Sequence, residues 1–448
     1  MMYLLGVLFV AFGIGASIAL HEIGHLVPAK RFGVKVTQYM VGFGPTLWSR
    51  HRGETEYGVK AIPLGGYIRM IGMFPPRPGD DPGTLRVSST GRFSQLMDEA
   101  RQASLEEVRP GDERRVFYRL SVPKKLTVML GGPVMNLLIA TVLFGGIFTL
   151  YGLPQLTTKL SSVSECVDVK QAGQSTAAEC TPDMPVAPAN AAGLRPGDVL
   201  TSVAGTPVST WDDVRVAIRS NLDKPMTIEL ERDGQPVTVQ AKPMVLDLPV
   251  YDDQGRPQTD EAGKVVTERA GFLGTTGTPE VVPQPATAVP GLIWEQISRT
   301  AGVVLRIPEK MVGVAEAAFG SGERDPEGPI SVVGVGRVAG EVANADTNGV
   351  DGGTMAKFVT LVGLIASLNL ALFVFNLIPL LPLDGGHVAG ALWEGLKRQS
   401  ARLLNRPDPG YVDVAKALPV AYAVSSVLIV MSVLLIYADI VKPIRLGG

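Results

Sequence analysis

Three side chains near the N-terminus are spaced to do chemistry together. In His21-Glu22-Ile23-Gly24-His25, two imidazoles lie four residues apart and a carboxylate directly follows the first. On a helix this spacing puts both rings on one face, one turn apart, where they can grip a single cation. Glu22 precedes His25 by one short turn, so its carboxylate reaches the same side without being needed as a ligand. Two imidazoles and a free glutamate suit a divalent zinc ion beside a base able to take a proton from water.

Two histidines do not complete a zinc site. The chain has four histidines, and the other two are His51 and His387. A nearby third histidine in a His-x-x-Gly-x-x-His continuation is absent, because Lys30-Arg31-Phe32 follows instead. The remaining source is Asn376-Leu377-Ile378-Pro379-Leu380-Leu381-Pro382-Leu383-Asp384-Gly385-Gly386-His387, at the end of a distant apolar segment. A carboxylate there is costly, about 2.5–3.5 kcal/mol at the centre of a span, and a bound cation would offset it. Pro379 and Pro382 break a helix, and the glycine pair lets the chain bend so that Asp384 can face the first helix. Two other readings stay open: an Asp in a polar turn that merely ends a helix, and His387 as the ligand.

The elements that must position these groups are apolar. The chain has 448 residues, 46% of them hydrophobic and 19% charged, with a mean hydropathy of +0.22. The apolar residues gather into four blocks, each long enough to cross about 30 Å of hydrocarbon, which takes about 20 residues. The blocks are read as transmembrane helices over 1–29, 126–153, 355–385 and 418–441. A cleavable signal peptide fits the first block poorly, since no Lys or Arg precedes it and His21-Glu22 falls where a cleavage site would lie. A net charge of −2 gives no overall basic character that would favour nucleic acid.

Between the blocks, 30–74 reads as short strands around Val34–Val36, Tyr39–Val41, Thr55–Val59 and Tyr67–Met70, with glycine turns between them. This β-element is expected beside the first helix, offering an edge to a substrate strand. The stretch 75–125 is a charged insertion with little core of its own, and 386–417 a loop. Basic residues crowd the first and third loops (Lys30, Arg31, Lys35, Lys124, Lys125; Lys397, Arg398, Arg402, Arg406). Both loops are therefore expected on the cytoplasmic side, the chain ends outside and the histidines near the cytoplasmic face. Lys442 and Arg445 in the tail, 442–448, argue the other way. Cys166 and Cys180 lie in the external second loop, where a disulfide is expected. Beyond that loop's folded part, 246–354 reads as an extended segment plus one amphipathic helix over Gly291–Phe319 at the membrane surface.

Two resemblances carry the reading further. Ala192-Gly193-Leu194-Arg195-Pro196-Gly197-Asp198, with the elements after it, resembles a PDZ domain, here 154–245. Its glycine-hydrophobic carboxylate loop is not evident, so peptide binding and a size filter over the membrane site both stand. The His-Glu-x-x-His in a first span, Leu383-Asp384-Gly385 closing a later one, Gly42-Phe43-Gly44 and Gly132-Pro133-x-x-Asn136 together resemble the site-2 protease family, in its bacterial regulator-of-sigma-E branch. That resemblance implies an intramembrane zinc metalloprotease with four transmembrane helices, a membrane-associated β-element and an extracytoplasmic PDZ domain. It implies that His21, His25 and Asp384 bind Zn²⁺ and that Glu22 is the general base. Asn376, Pro379, Gly42, Phe43 and Gly44 would meet the substrate. Expected partners are the bilayer of a bacterial inner membrane, single-span proteins such as anti-sigma factors or signal-peptide remnants, and a site-1-type protease that cuts first. The single PDZ module and the charged insertion after Met73 depart from some members. A PDZ scaffold with an idle motif, or a metal transporter, are the competing readings; Glu22 intact beside both histidines and the near absence of charge in the second and fourth blocks speak against them.

Overall fold

The computed structural model describes the chain apart from residues 77–91, 169–179, 252–256, 261–263, 321, 323, 326–327, 346–352 and 445–448. Arg445 and residues 77–91 of the charged insertion thus lie outside the described residues. Two compact units form, one from 1–149 with 285–448, the other from 150–284. Among the described residues, four helices are long and apolar enough to cross a membrane: Met2–Arg31, Val122–Tyr151, Gly353–Asn376 and Val414–Val441.

Helix α1, Met2–Arg31, carries the His-Glu-x-x-His in its last third. Lys30 and Arg31 in the final turn suit the negative end of the helix dipole, and Gly33, at φ +82°, takes the chain out. Strands β1 (Val36–Arg52) and β2 (Thr55–Met70) replace the four short strands expected. Each is long but folded: at Gly42 (φ +94°) and Gly44 (φ +83°) β1 turns back. Gln38–Val41 consequently pairs with Gly66–Arg69 on one side and Glu56–Val59 on the other. The sheet is fastened to α1 by Tyr39, whose hydroxyl donates to the Ala19 carbonyl at 2.7 Å. Leu26, Ala29, Val36, Met70, Phe117 and Val128 close a small core there.

The insertion has more structure than its composition suggests. Arg92–Glu106 forms helix α2, held by an ion pair of 2.6 Å between Arg101 and Asp413. A low-hydropathy stretch was not expected to fold; a nearly buried ion pair to a distant segment supplies the anchor that its composition lacks. Helix α3, Val122–Gly146, follows with Pro123 in its first turn. It crosses α1 at glycines: a Cβ on Gly24 would lie 2.2 Å from the Gly131 carbonyl oxygen. Only residues without side chains permit such backbone contact between spans.

In the second unit, β3 is Leu153–Val163, α4 Pro188–Ala191, β4 Val199–Val203, β5 Thr206–Pro207 and α5 Trp211–Ser220. Then come β6 (Met226–Arg232), β7 (Gln235–Ala241), β8 (Met244–Pro249), β9 (Thr267–Phe272) and β10 (Thr275–Val282). The main sheet runs β10-β3-β4-β6-β7, with β5 beside β4, and β8 pairs β9 separately. Leu160, Leu200, Val203, Val214, Ile228, Leu230 and Leu273 form its core. Asp198 is locked by Arg232 at 2.7 Å and by the Arg195 N–H at 2.8 Å. Thr210 and Asp213 cap α5 reciprocally. Cys166 and Cys180 are disulfide-bonded. The segment after 245, expected to be extended, instead supplies three strands, and β10 is the neighbour of β3. Alternation too short to read as strands individually becomes strand once a partner is present.

Back in the first unit, α6 (Val289–Leu305) and α7 (Ile307–Phe319) break at Arg306, so the single amphipathic helix expected over Gly291–Phe319 is two. Helix α8, Val332–Asn344, has no counterpart in the sequence reading. It packs on α1 through small residues, with a Cβ on Gly6 only 2.4 Å from the Ala339 oxygen. Helix α9 is Gly353–Asn376, α10 Asp384–Leu403 and α11 Leu418–Val441. The third apolar helix therefore stops at Asn376, short of the 385 expected, and Asp384 opens a new helix where a loop over 386–417 was read. The prolines at 379 and 382 cannot donate to a helix ladder. Gly385 then packs on the Ile378 carbonyl, where a Cβ would come within 2.2 Å.

Candidate active site

Helix α1 and the turn entering α10 meet at three donor atoms. His21 Nε2 and His25 Nε2 are 3.3 Å apart, and each is 3.4 Å from Asp384 Oδ2. Tetrahedral ligands held about 2.0–2.1 Å from a zinc ion stand about 3.3–3.4 Å from one another. The triangle is therefore already the size that such an ion needs. Asp384 Oδ2 is buried and has no hydrogen-bond partner, a cost that a cation would remove. Among the described residues this is the group of histidine, cysteine and acidic side chains close enough to share an ion; His387 is not in it.

The imidazoles are aimed by their other nitrogens. His25 Nδ1 lies 2.7 Å from the Val128 carbonyl, to which it donates, leaving the Nε2 lone pair toward the triangle. His21 Nδ1 lies 3.1 Å from the Asn136 amide. Both partners sit on α3, which approaches this closely because of its glycines. At Gly132 a Cβ would come 2.2 Å from His25 Nε2 and 2.7 Å from His21 Nε2. Any larger residue would fill the space where the rings converge.

Glu22 is buried, pointing to β2 beside the Ile68 backbone. A Cβ on Gly66 would lie 2.9 Å from the Glu22 Cγ, so the sheet touches the motif directly. The sequence-derived substrate residues are placed less decisively. Asn376 is the last residue of α9, and Pro379 is exposed in the turn beyond it. Gly42 and Gly44 make the bend of β1, while Phe43 stacks on Tyr67 with ring centroids 6.2 Å apart. The Val128 carbonyl, Gly132 as a space-maker and Gly66 were not singled out for these roles. A backbone carbonyl leaves no trace in a sequence; Gly132 and Asn136, one turn apart in an apolar helix, did offer a signal.

The family description "Peptidase family M50" matches residues 9–406. The chain belongs to peptidase family M50. Relatives in this family include "Zinc metalloprotease Rip1" of Mycobacterium tuberculosis (strain ATCC 25618 / H37Rv), 34% identical over 458 residues and covering 100% of both chains. "Zinc metalloprotease Rip1" of Mycolicibacterium smegmatis is 34% identical over 462 residues, again with 100% of each chain covered. "Metalloprotease MmpA" of Caulobacter vibrioides is 26% identical over 412 residues, with 89% of each chain covered. The M50 assignment spans both halves of the triangle, which lie more than three hundred residues apart in sequence.

Proposed function

We propose that this M50 peptidase hydrolyses peptide bonds within or near the transmembrane segments of single-span proteins, using Zn²⁺ held by His21, His25 and Asp384. The observation that carries this reading is the Nε2–Nε2–Oδ2 triangle with edges of 3.3–3.4 Å. Three protein ligands leave a fourth position open, the arrangement of a catalytic rather than a structural zinc site. Bound there, Zn²⁺ supplies a Lewis acid that polarises the scissile carbonyl and makes water acidic near neutral pH.

The chain's own groups do the rest. Glu22 takes the proton from the attacking water as its oxygen bonds to the carbonyl carbon. As the carbon–nitrogen bond breaks, Glu22 returns that proton to the leaving amine. A substrate helix satisfies its own backbone, so its carbonyls are sheltered until it unwinds. The freed segment pairs along Gly66–Met70, whose other side is taken by Val36–Val41. Asn376, at the C-terminal end of α9, would receive some of the released backbone groups, with Pro379 and Gly42-Phe43-Gly44 bordering the path.

The unit 150–284 is assigned as an extracytoplasmic PDZ domain. Its recess of about 180 Å³, lined by Trp211 and Ile218 of α5 and by Phe272, Leu273 and Gly274 at the end of β9, supports peptide capture. The disulfide fits the external side. A bacterial inner membrane, substrates of the anti-sigma or signal-peptide-remnant kind and a first-cutting site-1-type protease complete the proposal. The deciding experiment measures zinc content and cleavage of a single-span substrate. Glu22→Gln should retain zinc and lose cleavage by at least about 100-fold, and Asp384→Asn should lose both. Cleavage by Glu22→Gln at the parent rate would refute the mechanism.

A further inference from the structure

Asn136 stands at the same corner of the site, and its role rests on His21 being a ligand. It is 0% exposed, within an apolar helix, where an amide that does nothing is expensive. Its Nδ2 faces His21 Nδ1 at 3.1 Å, while its Oδ1 is buried with no partner. In that orientation Nδ1 accepts, so the proton of a neutral ring resides on Nε2, facing His25 and Asp384. A half-turn of the amide exchanges its two ends and moves no other residue. Oδ1 then accepts from Nδ1–H, and the Nε2 lone pair points into the triangle. Either orientation leaves one end of the amide without a protein partner, so a bound cation decides between them. The second orientation also makes His21 match His25, whose Nδ1 already donates to the Val128 carbonyl at 2.7 Å.

We propose that Asn136 is a positioning residue that holds His21 in the tautomer with Nδ1 protonated, so that Nε2 is presented to the metal. A backbone carbonyl of α3 performs this service for His25 and a side chain one turn beyond Gly132 performs it for His21. The competing role is a polar filler that ties α1 to α3. A filler would affect stability alone and would not distinguish replacements that accept a hydrogen bond from those that cannot.

The test uses the full chain in detergent, with zinc affinity read by competition against a chelator. Asn136→Leu, similar in size but unable to accept, should bind zinc about 10–100-fold more weakly. Asn136→Ala should do the same, and covers the case in which leucine does not insert. Asn136→Asp keeps an acceptor at the same reach and should stay within a few-fold of the parent. Parent-like affinity in both Asn136→Leu and Asn136→Ala, or a loss in Asn136→Asp as deep as theirs, overturns the proposal. His21→Ala measured alongside separates the two levels. If it binds zinc like the parent, the ligand assignment falls and Asn136 with it; if it loses zinc while the Leu and Ala variants do not, only the role of Asn136 falls.

Discussion

Replacing Gly132 by alanine adds a single methyl group and should dismantle the metal site. The new carbon would lie 2.2 Å from His25 Nε2, and ordinary contact begins near 3.4 Å, so a gap of about 1.2 Å must open. The ring cannot swing away freely, because its Nδ1 is held 2.7 Å from the Val128 carbonyl of the same helix. The His21 ring is crowded too, with Nε2 2.7 Å from the added carbon. Metal sites tolerate ligand displacements of about 0.2 Å, several times less than the shift required. We expect Gly132→Ala to bind zinc at least about 100-fold more weakly, equivalent to about 2.7 kcal/mol or more, and to lose cleavage in proportion. Gly145→Ala, in the same helix, is the control: its added carbon meets Val289 Cγ1 at 3.5 Å, an ordinary contact. The assay is chelator competition on purified protein together with cleavage of a single-span substrate. Zinc affinity in Gly132→Ala equal to that of Gly145→Ala would show that the rings do not converge on the space beside α3.

Three further outcomes follow from contacts away from the triangle. Lys125→Met strands Glu394, buried and 2.7 Å from the lysine, and should cost about 3 kcal/mol, the low end for a broken buried pair because Arg398 remains 3.2 Å away; thermal unfolding in detergent measures it, and an unchanged midpoint contradicts it. In the second unit, burial pushes the Asp198 carboxyl up, but the Arg232 guanidinium and the Arg195 N–H outweigh it and hold the carboxyl below the usual range. A depressed folded-state pKa gives stability that is full above the ordinary carboxylate range and fades as pH falls toward the lowered value; unfolding measured from pH 7 downward should show that loss in the parent and less of it in Asp198→Asn. Finally, if substrates must unwind to pair along Gly66–Met70, spans bearing Gly or Pro near the cut should be cleaved faster than poly-leucine spans. Equal rates across such a series would exclude unwinding as the slow step.

The chemistry was easier to read in the sequence than the scaffold. His21, Glu22 and His25 are set by a spacing that only a helix makes meaningful, and Asp384 stands out because a carboxylate beside an apolar block needs a partner. The four apolar helices were visible for the same reason, since a lipid-crossing segment must be apolar along its whole length. What could not be read depends on contacts between segments remote in sequence. Helix α2 has only the short apolar stripe Phe93, Leu96, Met97 and Ala100 within a charged stretch, and the Arg101–Asp413 pair that ties it down spans residues remote in sequence. Strand β10 lies far from β3 in sequence, and the pairing gives it definition. Helix α8 is short, its valines interrupted by three glycines that read as breaks until Gly6 and Ala339 are seen in contact. The end of the third span was misplaced because hydropathy continues through Leu383, while the hydrogen-bond ladder stops at Asn376.

One face of α3 carries Val128, Gly132, Asn136 and Ala140 at intervals of four residues, all of them buried. The opposite side shows Val134, Leu138 and Val142, each more than half exposed. The helix is thus two surfaces with different freedoms. The outward row can be rewritten with almost any apolar residue, since lipid is indifferent to shape. The inward row has no such latitude, because Val128 and Asn136 each contribute an atom at a fixed reach, Gly132 an absent side chain, and Ala140 is fully buried. Sequence drift among related chains should accordingly run along α3 as a stripe, and a helix that looks uniformly greasy should prove to be half lipid-facing filler and half machined part.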